Sequence, residues 1–217
     1  KTTLLTRLAL ELSQTHTVLL ATTTHMWPPQ CDTLLSPARE AVIEALTQTR
    51  LLAVGDPTPE GKLAAASALN GDYTGLADYV LVEADGSRGL PLKTPDSHEP
   101  VLPEGVSLVI AVAGMSCVGR TIETVAHRPA LFARLAGVEP GDVVTPQMVA
   151  RVLSHPEGQK KGVNCRFVIA LNQADNEKRL AFARAVAQNT NEETVLLALA
   201  ATALRAERWQ HGKLITQ

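Results

Sequence analysis

An α/β fold, with helices layered on both faces of a mainly parallel sheet, is what this 217-residue sequence predicts, and three observations predict it. Continuous apolar runs such as Thr17–Thr22, Ser107–Ala113 and Arg166–Leu171 read as buried strands of the parallel kind. Segments with helical apolar spacing separate these runs. Aromatic residues make up only 3% of the chain, so the core is built from Leu, Val, Ile and Ala, which suits helices stacked on such a sheet. With 45% apolar residues the chain supports one sizeable core, and a single domain over residues 1–217 is the expectation.

Each element has its own signal. Leu4, Leu5, Leu8 and Leu12 recur at helical spacing, and the β-like run Thr17–Thr22 follows. Ser36-Pro37 can start a helix as N-cap and first-turn residue, running through Ala41, Ile43 and Leu46. Arg50–Gly55 reads as a short strand with a glycine stop, Gly61–Leu69 as an Ala-rich helix, and Tyr79–Val82 as a fully buried strand. After a long loop rich in Gly and Pro comes the strand Ser107–Ala113, then helices at Pro129–Ala136 and Pro146–Leu153. Arg166–Leu171 is a strand, Asp175–Gln188 a helix and Thr194–Leu199 the last strand. Right-handed crossovers would then place ligands at the carboxyl ends of the strands.

Composition removes several function classes. A net charge of −2 offers no general footprint for nucleic acid or anionic lipid. No apolar run approaches the roughly 20 residues needed to span a bilayer. Cys31, Cys117 and Cys165 form no C-x-x-C pair, so neither a disulfide framework nor a structural zinc site is indicated, and a reducing cytoplasm is the expected setting.

The chain opens on Lys1-Thr2-Thr3 ahead of a helix, which matches the last residues of the phosphate-binding pattern G-x-x-x-x-G-K-[ST]. In such a loop the lysine stands beside the β- and γ-phosphates and the next hydroxyl ligates Mg²⁺. The expectation is therefore a three-layer αβα P-loop NTPase-like fold whose first strand and glycine loop are missing at the N-terminus. The partner motif is Glu83-Ala-Asp85-Gly86, where an apolar run ends abruptly in carboxylates. Unpaired carboxylates are costly in a buried strand, so Glu83 and Asp85 should face its end and hold a cation, with Gly86 allowing close approach of the backbone to a terminal phosphate.

Other residues gather along the same carboxyl edge. Thr22-Thr23-Thr24 could orient magnesium-bound water, and His25 with Cys31 offers two ligands, too few for a metal site. The loop Ser87–Pro100 carries Arg88, Lys93, His98 and Glu99, where basic groups could stabilise transferring charge or bind an anionic second substrate. Asn172-Gln173-Ala174-Asp175 follows a strand as the guanine-reading N-K-x-D element does. There Asp175 would accept from the N1 and N2 donors of guanine, Gln173 replaces the lysine, and capping of the following helix is a second job open to Asp175.

Together these residues resemble the selenium-dependent hydroxylase accessory proteins, the YqeC-type family of P-loop proteins encoded alongside molybdenum hydroxylase maturation factors. The resemblance rests on Lys1-Thr2-Thr3, Thr22–Met26, Val82–Arg88, Lys93-Thr-Pro95 and His98-Glu99-Pro100, and continues through His127-Arg128-Pro129, Thr145-Pro146 and His155–Gly158 to Asn172–Asp175. It implies a cytoplasmic factor that binds or hydrolyses nucleotide, GTP ahead of ATP, with Mg²⁺, in the maturation of selenium-dependent molybdenum hydroxylases. Carried onto this chain, Lys1 and Thr2 bind phosphate and Mg²⁺, Glu83 or Asp85 completes the metal site, and Asp175 faces the base. Its implied partners are a nucleotide, a molybdenum hydroxylase or its maturation factors and a second copy of the chain. Two alternatives stay open: a small-molecule kinase using Arg88 and Lys93 to hold the acceptor, and a nucleotide-gated metallochaperone with little turnover.

Overall fold

The computed structural model describes residues 1–198 and 206–215. Contacts divide the chain into two compact units, the first formed by Lys1–Gly86 with Val101–Val106 and the second by Ser87–Pro100 with Ser107–Gln217.

The first unit contains, in chain order, α1 (Thr2–Leu12), β1 (Val18–Thr22), β2 (His25–Met26), β3 (Asp32–Leu35), α2 (Arg39–Leu46), β4 (Leu51–Pro57), β5 (Leu63–Ala64) and β6 (Tyr79–Glu83). The sheet runs β2-β5-β4-β1-β6, with β3 also paired to β4. β1 is buried along its whole length and lies parallel to both β4 and β6. Its alternating side chains divide the core, as a strand's period of two requires. Leu19 and Ala21 pack with Val42 and Leu46 of α2 on one face, while Val18 and Leu20 pack with Ala9 of α1 on the other. Helices thus cover both faces, and the wholly buried Ala9 marks where a small side chain brings α1 close to the sheet.

In the second unit are β7 (Leu92–Lys93), β8 (Leu108–Gly114), α3 (Ile122–Val125), β9 (Ala126–His127), α4 (Pro129–Ala136), α5 (Pro146–Ser154), β10 (Arg166–Asn172), α6 (Glu177–Gln188), β11 (Glu193–Leu197), β12 (Ala206–Gln210) and β13 (Lys213–Ile215). One sheet runs β13-β12-β11-β10-β8, and β7 pairs with β9 in a separate two-stranded ladder. Phe132 of α4, Val149 of α5 and Val186 of α6 join Ile169 and Leu171 of β10 in a common core. Proline stands at the start of α4 and α5, where its missing N–H costs nothing and its fixed φ suits the first turn.

The α/β class is as expected, but the expected mainly parallel sheet is replaced by two mixed sheets. β4–β1–β6 and β8–β10–β11 are parallel, whereas β5 pairs antiparallel with β2 and β4, and β12 antiparallel with β11 and β13. Connection length is the cause. The turn between β4 and β5, closed by Thr58 N–H donating to the Lys62 carbonyl, is too short for a crossover, so the chain must fold back. Likewise His211 and Gly212, both at positive φ, make the two-residue turn that joins β12 to β13.

Other differences follow from tertiary pairing. The expected helix at Gly61–Leu69 is instead β5 and a single 3₁₀ turn at Ser67–Leu69, because Leu63 and Ala64 pair with Met26 and His25 and with Pro57 and Asp56. Gly55 is not a strand stop. A Cβ there would lie 2.7 Å from the Ala64 carbonyl oxygen and 2.8 Å from Leu63 Cβ, so glycine lets β5 lie close against β4. Ser36 does not cap α2: it sits at φ 48° and its N–H donates to the Gly55 carbonyl, while Ala38 holds the N-cap position. β6 is half-buried rather than fully buried, with Tyr79 exposed. Of the expected last strand, Leu199 lies outside the described residues.

Candidate functional site

The head of α1 and the carboxyl end of β6 meet in the first unit. Thr2 Oγ1 donates to Glu83 Oε2 at 3.1 Å, and Lys1 Nζ lies 3.3 Å from Asp85 Oδ2. The order of strands explains the meeting. β1 is paired in register with β6, Thr22 opposite Glu83, and α1 packs across the sheet so that its first turn ends at that same edge. Lys1 and Asp85 are each largely shielded, with side chains 17% and 13% exposed. Lys1 provides the N-cap position of α1 without a side-chain cap bond, and the first turn carries no acidic residue, so no carboxylate of the helix itself answers its N-terminal amides.

Burial pushes the Glu83 carboxyl above its ordinary value, and the Thr2 hydrogen bond and Lys1 ammonium only partly oppose that. A carboxylate in this position gains from a cation. The donor set, a hydroxyl and two carboxylates, is made of hard oxygens and suits Mg²⁺, which commonly takes one or two protein carboxylates with waters and phosphate oxygens for the rest. A Cβ added to Gly86 would meet nothing within 4 Å, and its φ is not positive, so packing does not demand glycine there. Thr3 is exposed on the first turn of α1.

Arg88, Lys93, Asn172 and Asp175 belong to the second unit. Lys93 is buried rather than offered to solvent: its side chain is 1% exposed and its Nζ lies 2.8 Å from Glu99 Oε2. Arg128 Nη1 reaches the same oxygen at 2.6 Å, and Arg128 Nε lies 3.2 Å from Asp96 Oδ2. Although burial works against ionisation of Glu99, the Arg128 and Lys93 bonds and the Asp96 N–H hold its carboxyl down at about 2. Arg88 and Arg128 both sit at positive φ, at 51° and 65°. Beside them the His127 imidazole is pushed below its ordinary value, by burial first and then by the Arg128, Lys93 and Arg88 charges, and its Nδ1 is buried without a hydrogen-bond partner among the described residues. Arg128 had no derivable role in the sequence; the signal that could have found it is the pairing of acidic and basic residues beside prolines, in His98-Glu99-Pro100 and His127-Arg128-Pro129.

Asn172 ends β10, where its Oδ1 accepts from the Gln173 N–H at 2.8 Å. Gln173 sits at φ 66°. Asp175 does not cap α6, since Asn176 does so by accepting from the Arg179 N–H at 3.0 Å. Asp175 instead lies 3.6 Å from Arg179, one helical turn on. Among the described residues no group of three or more His, Cys, Asp or Glu side chains could hold a metal ion, and no helix is long and apolar enough to cross a membrane.

Fold and site together define an α/β protein with a hydroxyl, an ammonium and two carboxylates gathered where its first helix meets the end of a parallel strand. The chain belongs to the YqeC family: the family described as "YqeC protein" matches residues 1–130, which take in this cluster and the Lys93–Glu99–Arg128 ion pairs. A curated relative, "Uncharacterized protein YqeC" of Escherichia coli (strain K12), is 40% identical over 99 residues, covering 44% of this chain and 39% of that protein. The match thus spans about two fifths of the relative's length. No solved structure matches the chain.

Proposed function

We propose that this chain is an Mg²⁺-dependent factor that binds and hydrolyses nucleotide, GTP ahead of ATP, on a three-layer P-loop fold in the cytoplasm. The observation that carries the reading is the convergence of Thr2 on Glu83 and of Lys1 on Asp85 across more than eighty residues of sequence. Three further features support it. Lys1 Nζ, 3.3 Å from Asp85 Oδ2, puts an ammonium at the head of α1, where phosphate charge would be held. The first turn of α1 carries no acidic residue, which suits an anion at its head. Open space at Gly86 leaves room for a terminal phosphate.

Bound Mg²⁺ would neutralise charge on the transferring phosphoryl group. The chain's own residues orient and exclude. Thr2 turns its hydroxyl lone pair outward, Glu83 offers its carboxyl oxygens to the cation, and Lys1 takes up phosphate charge. The reading calls for a glycine-bearing loop ahead of Lys1. The preference for GTP is supported by the likeness of Asn172-Gln173-Ala174-Asp175 to the guanine-reading element, in which the two acceptor oxygens of the carboxylate suit the paired donors of guanine. A role in the maturation of selenium-dependent molybdenum hydroxylases is supported by the family resemblance.

Phosphate release from GTP and from ATP, with and without Mg²⁺, tests the reading on a chain that includes the segment ahead of Lys1. Mg²⁺-dependent release with GTP preferred is expected. Absence of both binding and release for either nucleotide would overturn it.

A further inference from the structure

Thr22 ends β1, whose four other residues are apolar and buried, and its own exposure is 0%. A hydroxyl in such a place is costly unless it is used. It is used fully. Thr22 Oγ1 donates to the Glu83 carbonyl oxygen at 2.9 Å and accepts from the Thr24 N–H at 3.0 Å. The Thr23 N–H donates to the same Glu83 oxygen at 3.2 Å. A carbonyl has two lone pairs, and here both are taken. The plane of the peptide that follows Glu83 is thereby fixed at the last residue of β6, and with it the direction in which the Glu83 side chain leaves the strand. That direction brings Oε2 to the Thr2 hydroxyl.

We infer that Thr22 is a positioning residue for a divalent cation: its buried hydroxyl aims the Glu83 carboxylate at the metal side of a nucleotide held at the head of α1. The inference rests on the Mg²⁺-nucleotide reading above. It assigns Thr22 no contact with the ligand, and its effect passes entirely through Glu83.

Thr22→Val keeps shape and removes the hydroxyl, so it is the natural test, with Thr22→Ala as the second deletion if Val disturbs the strand. The reading is the ratio of nucleotide affinity with Mg²⁺ to affinity without it. Loss of the aiming bond is expected to reduce that ratio about fivefold to tenfold while leaving metal-free affinity unchanged, and Thr22→Ser should restore it. The control is Thr17→Val, since the Thr17 hydroxyl ties the opposite end of the same strand pair to Asp78 at 2.9 Å. That change should lower stability without moving the ratio. An unchanged ratio in Thr22→Val and Thr22→Ala, or a fall no different from that of Thr17→Val, would overturn the inference. A wild-type chain whose affinity ignores Mg²⁺ would instead remove the reading beneath it, so the two failures are told apart by the wild type.

Discussion

Thr2 Oγ1 lies 3.1 Å from Glu83 Oε2, although the two residues are separated by 81 positions. Because burial raises the Glu83 carboxyl above its ordinary value, a cation held there as proposed would compete with its proton. Mg²⁺-dependent affinity should therefore rise with pH up to the raised value and level off above it. Calorimetry in two buffers of different ionisation enthalpy should show proton release below that pH, and Glu83→Gln should abolish it. The same raised value means that Glu83 by itself makes the folded state less stable as pH rises through its titration.

The Lys93–Glu99–Arg128 cluster predicts acid sensitivity. Glu99 is lowered from 4.5 to about 2, so its contribution is whole above 4.5 and is lost as pH falls from there toward 2. Glu99→Gln removes the carboxylate that Lys93 and Arg128 share, and should cost about 3 kcal/mol at neutral pH in urea unfolding, with less dependence on acid than the wild type. A loss under about 0.5 kcal/mol would show that the pairing adds little.

Two glycines should separate fold from ligand. Gly55→Ala drives a Cβ into the Ala64 carbonyl and Leu63, and is expected to destabilise by about 2 kcal/mol. Gly86→Ala meets nothing and should change stability by less than about 0.5 kcal/mol. It should nevertheless weaken nucleotide binding severalfold, measured beside the melting temperature of each variant.

At α6 the cap, Asn176, and the proposed base reader, Asp175, are adjacent and separable. Asn176→Ala should lower stability by about 1 kcal/mol, because the Arg179 N–H loses its acceptor. Asp175→Asn exchanges one acceptor for a donor and should erode the preference for GTP over ATP while leaving stability within about 0.5 kcal/mol. Competition binding with the two nucleotides checks this.

The α/β class and the placement of Lys1, Thr2, Glu83 and Asp85 were legible in sequence, since each carries a local pattern: an apolar run, a helix start, an acidic stop. β1, β10, α4 and α5 fell within a residue or two of expectation for the same reason. What stayed hidden depends on distant partners. β5 reads as helix because Ala64 opens the alanine run Ala64–Ala66, which favours one, and only pairing with Met26 and Pro57 makes it a strand. Glu99 and Arg128 lie 29 positions apart, so their ion pair is announced only by the like-patterned runs His98-Glu99-Pro100 and His127-Arg128-Pro129. Asn176, not Asp175, caps α6 because one residue of displacement decides which side chain faces the Arg179 N–H.

Thr2 and Glu83 are proposed to act on one metal-bound nucleotide. A double-mutant cycle of Thr2→Val and Glu83→Gln, read as the dissociation constant of Mg²⁺-GTP by calorimetry, tests it most directly. Shared action predicts that the double variant binds about as weakly as the weaker single variant. Losses that simply add, or single variants that bind as the wild type does, would contradict the account.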